Sequence, residues 1–353
     1  MKQALITAIH NYFQASGVGQ SSIQSIRPLG MGVHGEAYEI RYQDHGRERS
    51  LILKSIMSQG FGHEYVADRS AVLIQAMNSY NTLPQHVRAC ELIAVSGSQS
   101  CLLGNPDEFY LLMEKAEGTS YYDELDIILE RGYANDLDRE KAIALALYLA
   151  KIHTRPNLAA PLPQELYKRK IRDTLGDGEC ILGVIDEYPA DELEAIDIKQ
   201  VLALCLPHWY DLRSRYDRLR VVHGDYHPGN ILFGQGVDFQ LLDRSRGEYG
   251  EPVDDLACIL INYAMYYLLS KRQNSDFKTL AALFTQNYIQ TSGDGDILRV
   301  LPLFMFFRGM VVSNKRFFPK NPPAVRKTIV NAIIHMLQFP VNTLDDLMRS
   351  FEM

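Results

Sequence analysis

Apolar and polar residues alternate along 37–42 (AYEIRY), the period of a strand with one face in a core. Gln43-Asp44-His45-Gly46 are turn formers, and 51–56 (LILKSI) is a second apolar strand, so the pair predicts a β-hairpin. Residues 62–80 carry a helical pattern, and 91–95 and 109–114 predict two further strands. Residues 1–17 predict a short amphipathic helix with Leu5, Ile6, Ile9 and Phe13 on one side. Past Gly118 the character changes. The run 141–153 (KAIALALYLAKIH) consists of good helix formers, and helical stretches dominate from there on. Only short strand-like pieces near Val221, Ile231 and Gln240 interrupt them. The change sets a boundary at 116–118, with a strand-rich domain over 1–116 and a helical one over 117–353. No repeat with a period of about 20–50 residues is present.

Composition narrows the class. Of 353 residues, 46% are hydrophobic and 22% charged, enough for a sizeable core and against intrinsic disorder. The net charge of −7 argues against a general nucleic-acid binder, which needs a basic face. No apolar run approaches the ~18 residues of a membrane helix. The longest, 256–269, is broken by Asn262 and predicts a buried helix, so no membrane partner is expected. The N-terminus lacks the continuous apolar core and cleavage site of a signal peptide. Cys90, Cys101, Cys180, Cys205 and Cys258 are odd in number and scattered, with no CxxC pair. They predict core residues in a reducing cytoplasm rather than a disulfide framework or a zinc site.

Candidate chemistry begins at Gly30-Met31-Gly32-Val33-His34-Gly35. A dinucleotide-binding fold requires such a cluster to open a helix. Here a strand and a hairpin follow, which favours a turn between strands whose backbone N–H groups cover nucleotide phosphates. Gly30, Gly32 and Gly35 suit that turn because a Cβ would hold the backbone away from the phosphates. An ordinary glycine-containing hairpin is the other reading. Lys54 lies in the strand after the hairpin, among Leu51, Ile52, Leu53 and Ile56. A kinase-type site places a lysine there to hold the α- and β-phosphates, oriented by a carboxylate on the next helix. Glu64 and Asp68, four apart on one helix face, are the candidates, and Glu64 is preferred for its reach.

The densest signal is 221–232, VVHGDYHPGNIL. Apolar pairs frame Asp225 and Asn230 at the spacing D-x-x-x-x-N of a kinase catalytic loop, where the Asp accepts a hydroxyl proton and the Asn holds a metal ion. Thirteen residues after Asn230, the apolar pair Leu241-Leu242 ends in Asp243. An Asn amide oxygen and an Asp carboxylate are the hard donors Mg²⁺ takes.

These residues resemble the aminoglycoside phosphotransferase and choline kinase family, a small-molecule branch of the protein-kinase-like fold. The resemblance rests on HGDYHPGN at 223–230, on Asp243 and on GEPVDDLA at 250–257. The helix end at 149–153 and the segment 109–117 are similar as well. The resemblance covers about residues 25–320 and implies an α+β, bilobal protein-kinase-like fold with a five-stranded antiparallel N-lobe and a mostly helical C-lobe. It implies Asp225 as the catalytic base, Asn230 and Asp243 as Mg²⁺ ligands, and Lys54 on the phosphates of ATP. It also implies that Glu114 to Ala116 offer backbone to adenine, and that His223 and Asp255 hold the catalytic loop. His227 is either a second proton acceptor or a turn-stabilising residue. Two departures stand out. Arg244-Ser245-Arg246 follow Asp243 where an aromatic residue is usual, either to contact an anion or to pair with Glu248, Glu251 or Asp254. Arg88 replaces a proline before the fourth strand.

The expected activity is ATP-dependent transfer of the γ-phosphoryl group to a hydroxyl of a small molecule, such as an aminoglycoside, an amino alcohol or a related metabolite. A protein kinase and a catalytically silent nucleotide-binding protein are the alternatives. Against the first, no Ala-Pro-Glu segment follows Asp243. The acceptor side is expected within about 119–215. Acidic runs there, at 186–197 and at Asp123, Glu124 and Asp126, are either an electrostatic wall for a cationic acceptor or solvated surface.

Overall fold

The computed structural model describes residues 2–15, 22–31, 35–97, 99–100, 106–194, 196–244 and 246–352. The chain divides into two units, Met1–Glu117 with Gln240–Arg246, and Gly118–Phe239 with Gly247–Met353.

In the first unit, α1 (Lys2–Ala15) precedes β1 (Ser22–Met31), β2 (Glu36–Asp44) and β3 (Arg47–Lys54). Helix α2 (Val66–Ser79), β4 (Ala89–Ser96), the two-residue β5 (Gln99–Ser100) and β6 (Glu108–Glu114) follow. Five long strands form one sheet in the order β1-β2-β3-β6-β4, with β5 added at the edge of β4. Their pairings are antiparallel. The β2–β3 hairpin turns at His45 and Gly46, with φ of 47° and 78°, the left-handed pair that a two-residue hairpin turn demands. Strand β3 begins earlier than its apolar pattern does. Residues 47–50 pair with β2, and their polar, mostly exposed side chains hide the strand. Helix α2 begins at Val66, not at 62. Gly60, Phe61 and Gly62 all have positive φ, which no α-helix accommodates.

The sheet is buried on both faces. Leu5, Ile9 and Phe13 of α1 share a cluster with Leu51, Leu53 and Leu112. On the opposite face, Leu73, Ala76 and Tyr80 cluster with Ile56, Phe109 and Leu111. Each leucine so enclosed contributes about 1.5–3 kcal/mol. Ile6, expected on the buried side of α1, is only half-buried. Residues 240–246 belong to this unit, a correction to the expected boundary of 117–353. Leu241 donates its N–H to the Gln85 carbonyl at 2.8 Å and accepts from the Val87 N–H at 3.0 Å. Leu242 packs on the α2-side cluster. Backbone pairing at 85–87 draws this segment back, and hydropathy does not reveal such pairing.

The second unit is mostly helical. It contains β7 (Thr119–Ser120), α3 (Tyr121–Arg131), α4 (Asp136–Ile152), α5 (Leu162–Gly176), α6 (Ile181–Asp186), α7 (Ala190–Leu193) and α8 (Ile198–Leu212). Then come β8 (Arg220–Val221), β9 (Ile231–Phe233), β10 (Phe239–Leu241, whose last two residues count with the first unit) and β11 (Tyr249–Gly250). Helices α9 (Pro252–Leu269), α10 (Asp276–Ser292), α11 (Ile297–Ser313), α12 (Pro323–Gln338) and α13 (Leu344–Ser350) complete it. Strand β7 pairs with β9, and β8 with β11. Helix α9, the expected buried helix, is enclosed along its length from Pro252 to Leu268. Among the described residues, no helix is long and apolar enough to cross a membrane. Cys180, Cys205 and Cys258 are buried, Cys90 is half-buried, and all four are free thiols.

Candidate active site

In the first unit, Gly30 sits in β1 opposite Ala37, next to a register shift, and Gly35 lies immediately before β2. Gly32, between these two positions in the sequence, lies outside the described residues. A Cβ on Gly35 would stand 1.9 Å from the carbonyl oxygen of Ser55. Close approach of two backbones therefore already requires glycine at 35.

Strand alternation turns Leu51 and Leu53 toward α1 and Lys54 toward the α2 side. There Lys54 Nζ donates to Asp243 Oδ2 at 2.6 Å. The Tyr80 hydroxyl, from the end of α2, donates to Asp243 Oδ1 at 3.2 Å. Burial, reinforced by the Asp243 charge, raises the Tyr80 hydroxyl well above its ordinary range, so it remains a donor. Asp243 itself has a φ of 61°, an uncommon conformation for a non-glycine residue.

The carboxylates expected on Lys54 are elsewhere. Glu64 is exposed and precedes α2, so the four-residue spacing does not place it on a helix face with Asp68. Asp68 Oδ2 accepts the Tyr65 N–H at 3.1 Å and caps the helix. On α2 it is Arg69 that is buried. Its Nε donates to Glu108 at 3.0 and 3.1 Å, and one terminal nitrogen donates to the carbonyls of His63 and Glu64.

Glu114 closes β6, its N–H bonded to the Arg88 carbonyl at 2.9 Å, and Ala116 is half-buried against the α2-side cluster. Between them, Lys115 Nζ stands 2.9 Å from Glu39 Oε1. The Lys115 hydrogen bond and the nearby Arg41 lower the Glu39 carboxyl to about 2, against some opposition from burial. Arg244 is fully enclosed. It donates to the Ser79 carbonyl at 2.9 Å and to Thr82 Oγ1 at 2.8 Å. These bonds tie Arg244 onto the end of α2, a use that neither sequence reading included.

In the second unit, the catalytic-loop motif is anchored by α9. Asp255 Oδ2 accepts the His223 N–H at 2.8 Å, and Oδ1 accepts the Gly224 N–H at 2.7 Å. His153 Nε2 lies 3.1 Å from the same carboxylate, and its Nδ1 meets the Tyr288 hydroxyl at 2.8 Å. Burial acts to raise the Asp255 carboxyl. The bond and charge of His153, with the His223 contacts, more than offset this and hold it below the usual range.

Asp225 donates its N–H to His223 Nδ1 at 3.2 Å. Asn230 Nδ2 donates to the Asp225 carbonyl at 2.9 Å, which fixes the amide and leaves Oδ1 as its acceptor atom. His227 Nδ1 accepts the Gly229 N–H at 3.0 Å, so its neutral ring carries the proton on Nε2, 3.8 Å from Asp225 Oδ2. The turn-stabilising reading of His227 has this geometry.

Two buried arginines escaped the sequence reading. Arg308 of α11 donates to Asp225 Oδ1 at 2.6 Å, to Asp254 Oδ1 at 2.8 Å and to the Gly224 carbonyl at 2.9 Å. Arg218 binds Glu251 at 2.7 and 2.9 Å, and Tyr167 donates to the same carboxylate at 2.6 Å. Arg308 had a visible signal. It is the lone charge between Val300 and Val312, and a cation in a buried helix must be paired.

The model of the phosphotransferase enzyme family, APH, matches residues 25–283. The chain belongs to that family. Among solved structures, it resembles the aminoglycoside phosphotransferase APH(4)-Ia at 14% identity, over 99% of each chain, with a TM-score of 0.50. It also resembles APH(3'')-Id from Streptomyces rimosus in complex with ADP and streptomycin, at 15% identity over 85% of this chain and 98% of that one (TM-score 0.44). Spectinomycin phosphotransferase APH(9)-Ia, in complex with ADP and spectinomycin, is 13% identical over 94% of each chain (TM-score 0.46). No curated protein matches the chain significantly. The family match and the five-stranded antiparallel sheet agree with the expected protein-kinase-like fold.

In this member of the phosphotransferase family, five of the nine acids in the two runs have partners in pairs or caps. Glu187 pairs with Arg316, Glu192 with Arg326 at 2.6 Å, and Glu124 with Lys141 at 2.6 Å. Asp197 caps α8 through the Gln200 N–H at 3.0 Å, and Asp126 accepts from the Tyr266 hydroxyl at 2.7 Å. Pairs and caps of this kind favour the surface reading over an acceptor-binding wall.

Proposed function

We propose that this phosphotransferase moves the γ-phosphoryl group of ATP to a hydroxyl of a small molecule, with an aminoglycoside, an amino alcohol or a related metabolite as acceptor. The observation that carries the reading is the anchored loop. Asp225 stands half-buried, preceded by a backbone pinned by Asp255 and with its own carbonyl held by the Asn230 amide. A carboxylate held in this way accepts the hydroxyl proton as the acceptor oxygen bonds to the γ-phosphorus. The bond from that phosphorus to the β-phosphate oxygen breaks, and ADP leaves. Catalysis by such a site is mainly positioning and charge compensation.

Lys54 is assigned to the α- and β-phosphates. The turn at Gly30, Gly32 and Gly35 is assigned to phosphate cover, and the backbone of Glu114 and Ala116 to adenine. Glu64 is not retained, because Lys54 already has its carboxylate in Asp243. Asn230 Oδ1 and the Asp243 carboxylate fit Mg²⁺ as hard oxygen donors, and the ion, when bound, neutralises phosphate charge. Among the described residues, no three His, Cys, Asp or Glu side chains form a metal cage. That suits an ion that takes its other ligands from phosphates and water.

The test is ADP release from Mg·ATP across a library of hydroxylated metabolites, aminoglycosides and amino alcohols, with a mixed protein substrate in parallel. Release that depends on a small hydroxyl compound and yields its phosphate ester is expected. Release only with protein, or nucleotide binding with no turnover on any compound, overturns the reading.

A further inference from the structure

We infer that Arg308 is a positioning residue for the base: it holds Asp225 by its Oδ1 and so fixes the carboxylate that takes the proton. The inference rests on the reading of Asp225 as the group that takes the proton.

Arg308 reaches the loop from α11, which follows Asp225 by more than seventy residues of chain. Its side chain is 6% exposed, and its three bonds engage all three guanidinium nitrogens: Nε on Asp254, one terminal nitrogen on Asp225 Oδ1 and the other on the Gly224 carbonyl. Lys170 Nζ stands 3.6 Å from Asp254 Oδ2. The chain Lys170–Asp254–Arg308–Asp225 thus alternates in sign, and its four charges cancel.

Cancellation alone does not need this geometry. Asp254 and a carbonyl would satisfy a buried guanidinium, yet one arm goes to the carboxylate assigned to proton transfer. With Oδ1 bound at 2.6 Å and the Gly224 carbonyl held by the same group, Asp225 cannot rotate about its side-chain bonds without breaking the fork. Reacting groups misplaced by about 1 Å lose roughly 10²-fold in rate, so an anchor on the base acts on kcat rather than on nucleotide affinity. A lysine keeps the charge but cannot span the three acceptors.

The experiment compares Arg308→Gln, Arg308→Lys, Arg308→Ala and Asp225→Asn in the full-length protein. Turnover is read as ADP release from Mg·ATP, with water or the most active library compound as acceptor. For Arg308→Gln the expected result is a kcat roughly 10²-fold lower, with the KM for ATP within about twofold. Arg308→Lys should keep its melting temperature closer to wild type and still lose at least about tenfold in kcat. Guanidinium ion at millimolar concentration should raise the kcat of Arg308→Ala but not of Asp225→Asn. Wild-type kcat in a folded Arg308→Gln or Arg308→Lys protein overturns the inference, as does a loss in kcat matched by an equal rise in KM for ATP. If Asp225→Asn keeps wild-type turnover, the reading of the base fails, and Arg308 loses its role with it. An inactive Asp225→Asn beside an active Arg308→Lys removes Arg308 alone.

Discussion

Lys54 Nζ lies 2.6 Å from Asp243 Oδ2, a bond that joins residues 189 positions apart within one unit. The partner of the strand lysine is thus the acid assigned to the metal, and the two charges hold each other in place. Lys54→Met should lower kcat/KM for ATP by roughly 10²-fold through lost charge stabilisation, with little change in melting temperature. Asp243→Asn should also weaken nucleotide binding measured by calorimetry in Mg²⁺, and far less so in EDTA. A large stability loss with unchanged turnover would reduce Lys54 to a structural role.

Asp225→Asn preserves shape and removes the carboxylate assigned to proton transfer. Turnover should fall by roughly 10²–10⁴-fold, the usual contribution of a general base. ATP affinity should stay within about twofold, since the hydroxyl acceptor and not the nucleotide is what this carboxylate serves. Single-turnover kinetics together with calorimetry separate the two quantities.

Asp255 is fully buried and accepts from two backbone N–H groups and from His153. An asparagine there turns an NH₂ group toward at least one of those donors. Removing one partner of a buried charged network costs about 3–5 kcal/mol. Chemical denaturation of Asp255→Asn should show a loss of that order, with turnover lost in parallel because the loop is released. An unfolding free energy within 1 kcal/mol of wild type would contradict the anchoring role.

Glu39 supplies the pH prediction. Its carboxyl is lowered from an ordinary 4.5 to about 2, chiefly by its hydrogen bond to Lys115. A depressed acid contributes its full stability above its unfolded value and loses it as pH falls through the folded one. The melting-temperature gap between wild type and Glu39→Gln should therefore be constant above about pH 4.5 and close progressively toward pH 2. A gap that widens on acidification contradicts the assignment.

Much of this was legible in the residues themselves. Alternation revealed β2, and the spacing of Asp225, Asn230 and Asp243 pointed to the family that the chain belongs to, because strand period and loop register are local properties. What was hidden depends on contacts distant in sequence. Glu64 looked like the partner of Lys54 only while 62–80 read as helix, and three consecutive positive φ angles at 60–62 remove that premise. Gly35 suited a phosphate turn, yet the Ser55 carbonyl demands the same residue. Arg244 offered either an anion contact or an acid pair, and the structure adds a third use, a clasp on α2. In each case the residue has more than one use, and only its neighbours decide between them.

The seven residues Gln240–Arg246 lie far along the chain from the rest of the first unit. On the ribosome, that unit cannot be finished when Glu117 emerges. The Leu241 bridge to 85–87, the Leu242 contact and the partner of Lys54 arrive only after Phe239 has been made. Domains usually complete themselves in order of synthesis, N-terminal first. This one is built first and fastened last, so a nascent chain stalled before residue 240 should be open to protease in its first unit, and one released past residue 246 should be closed.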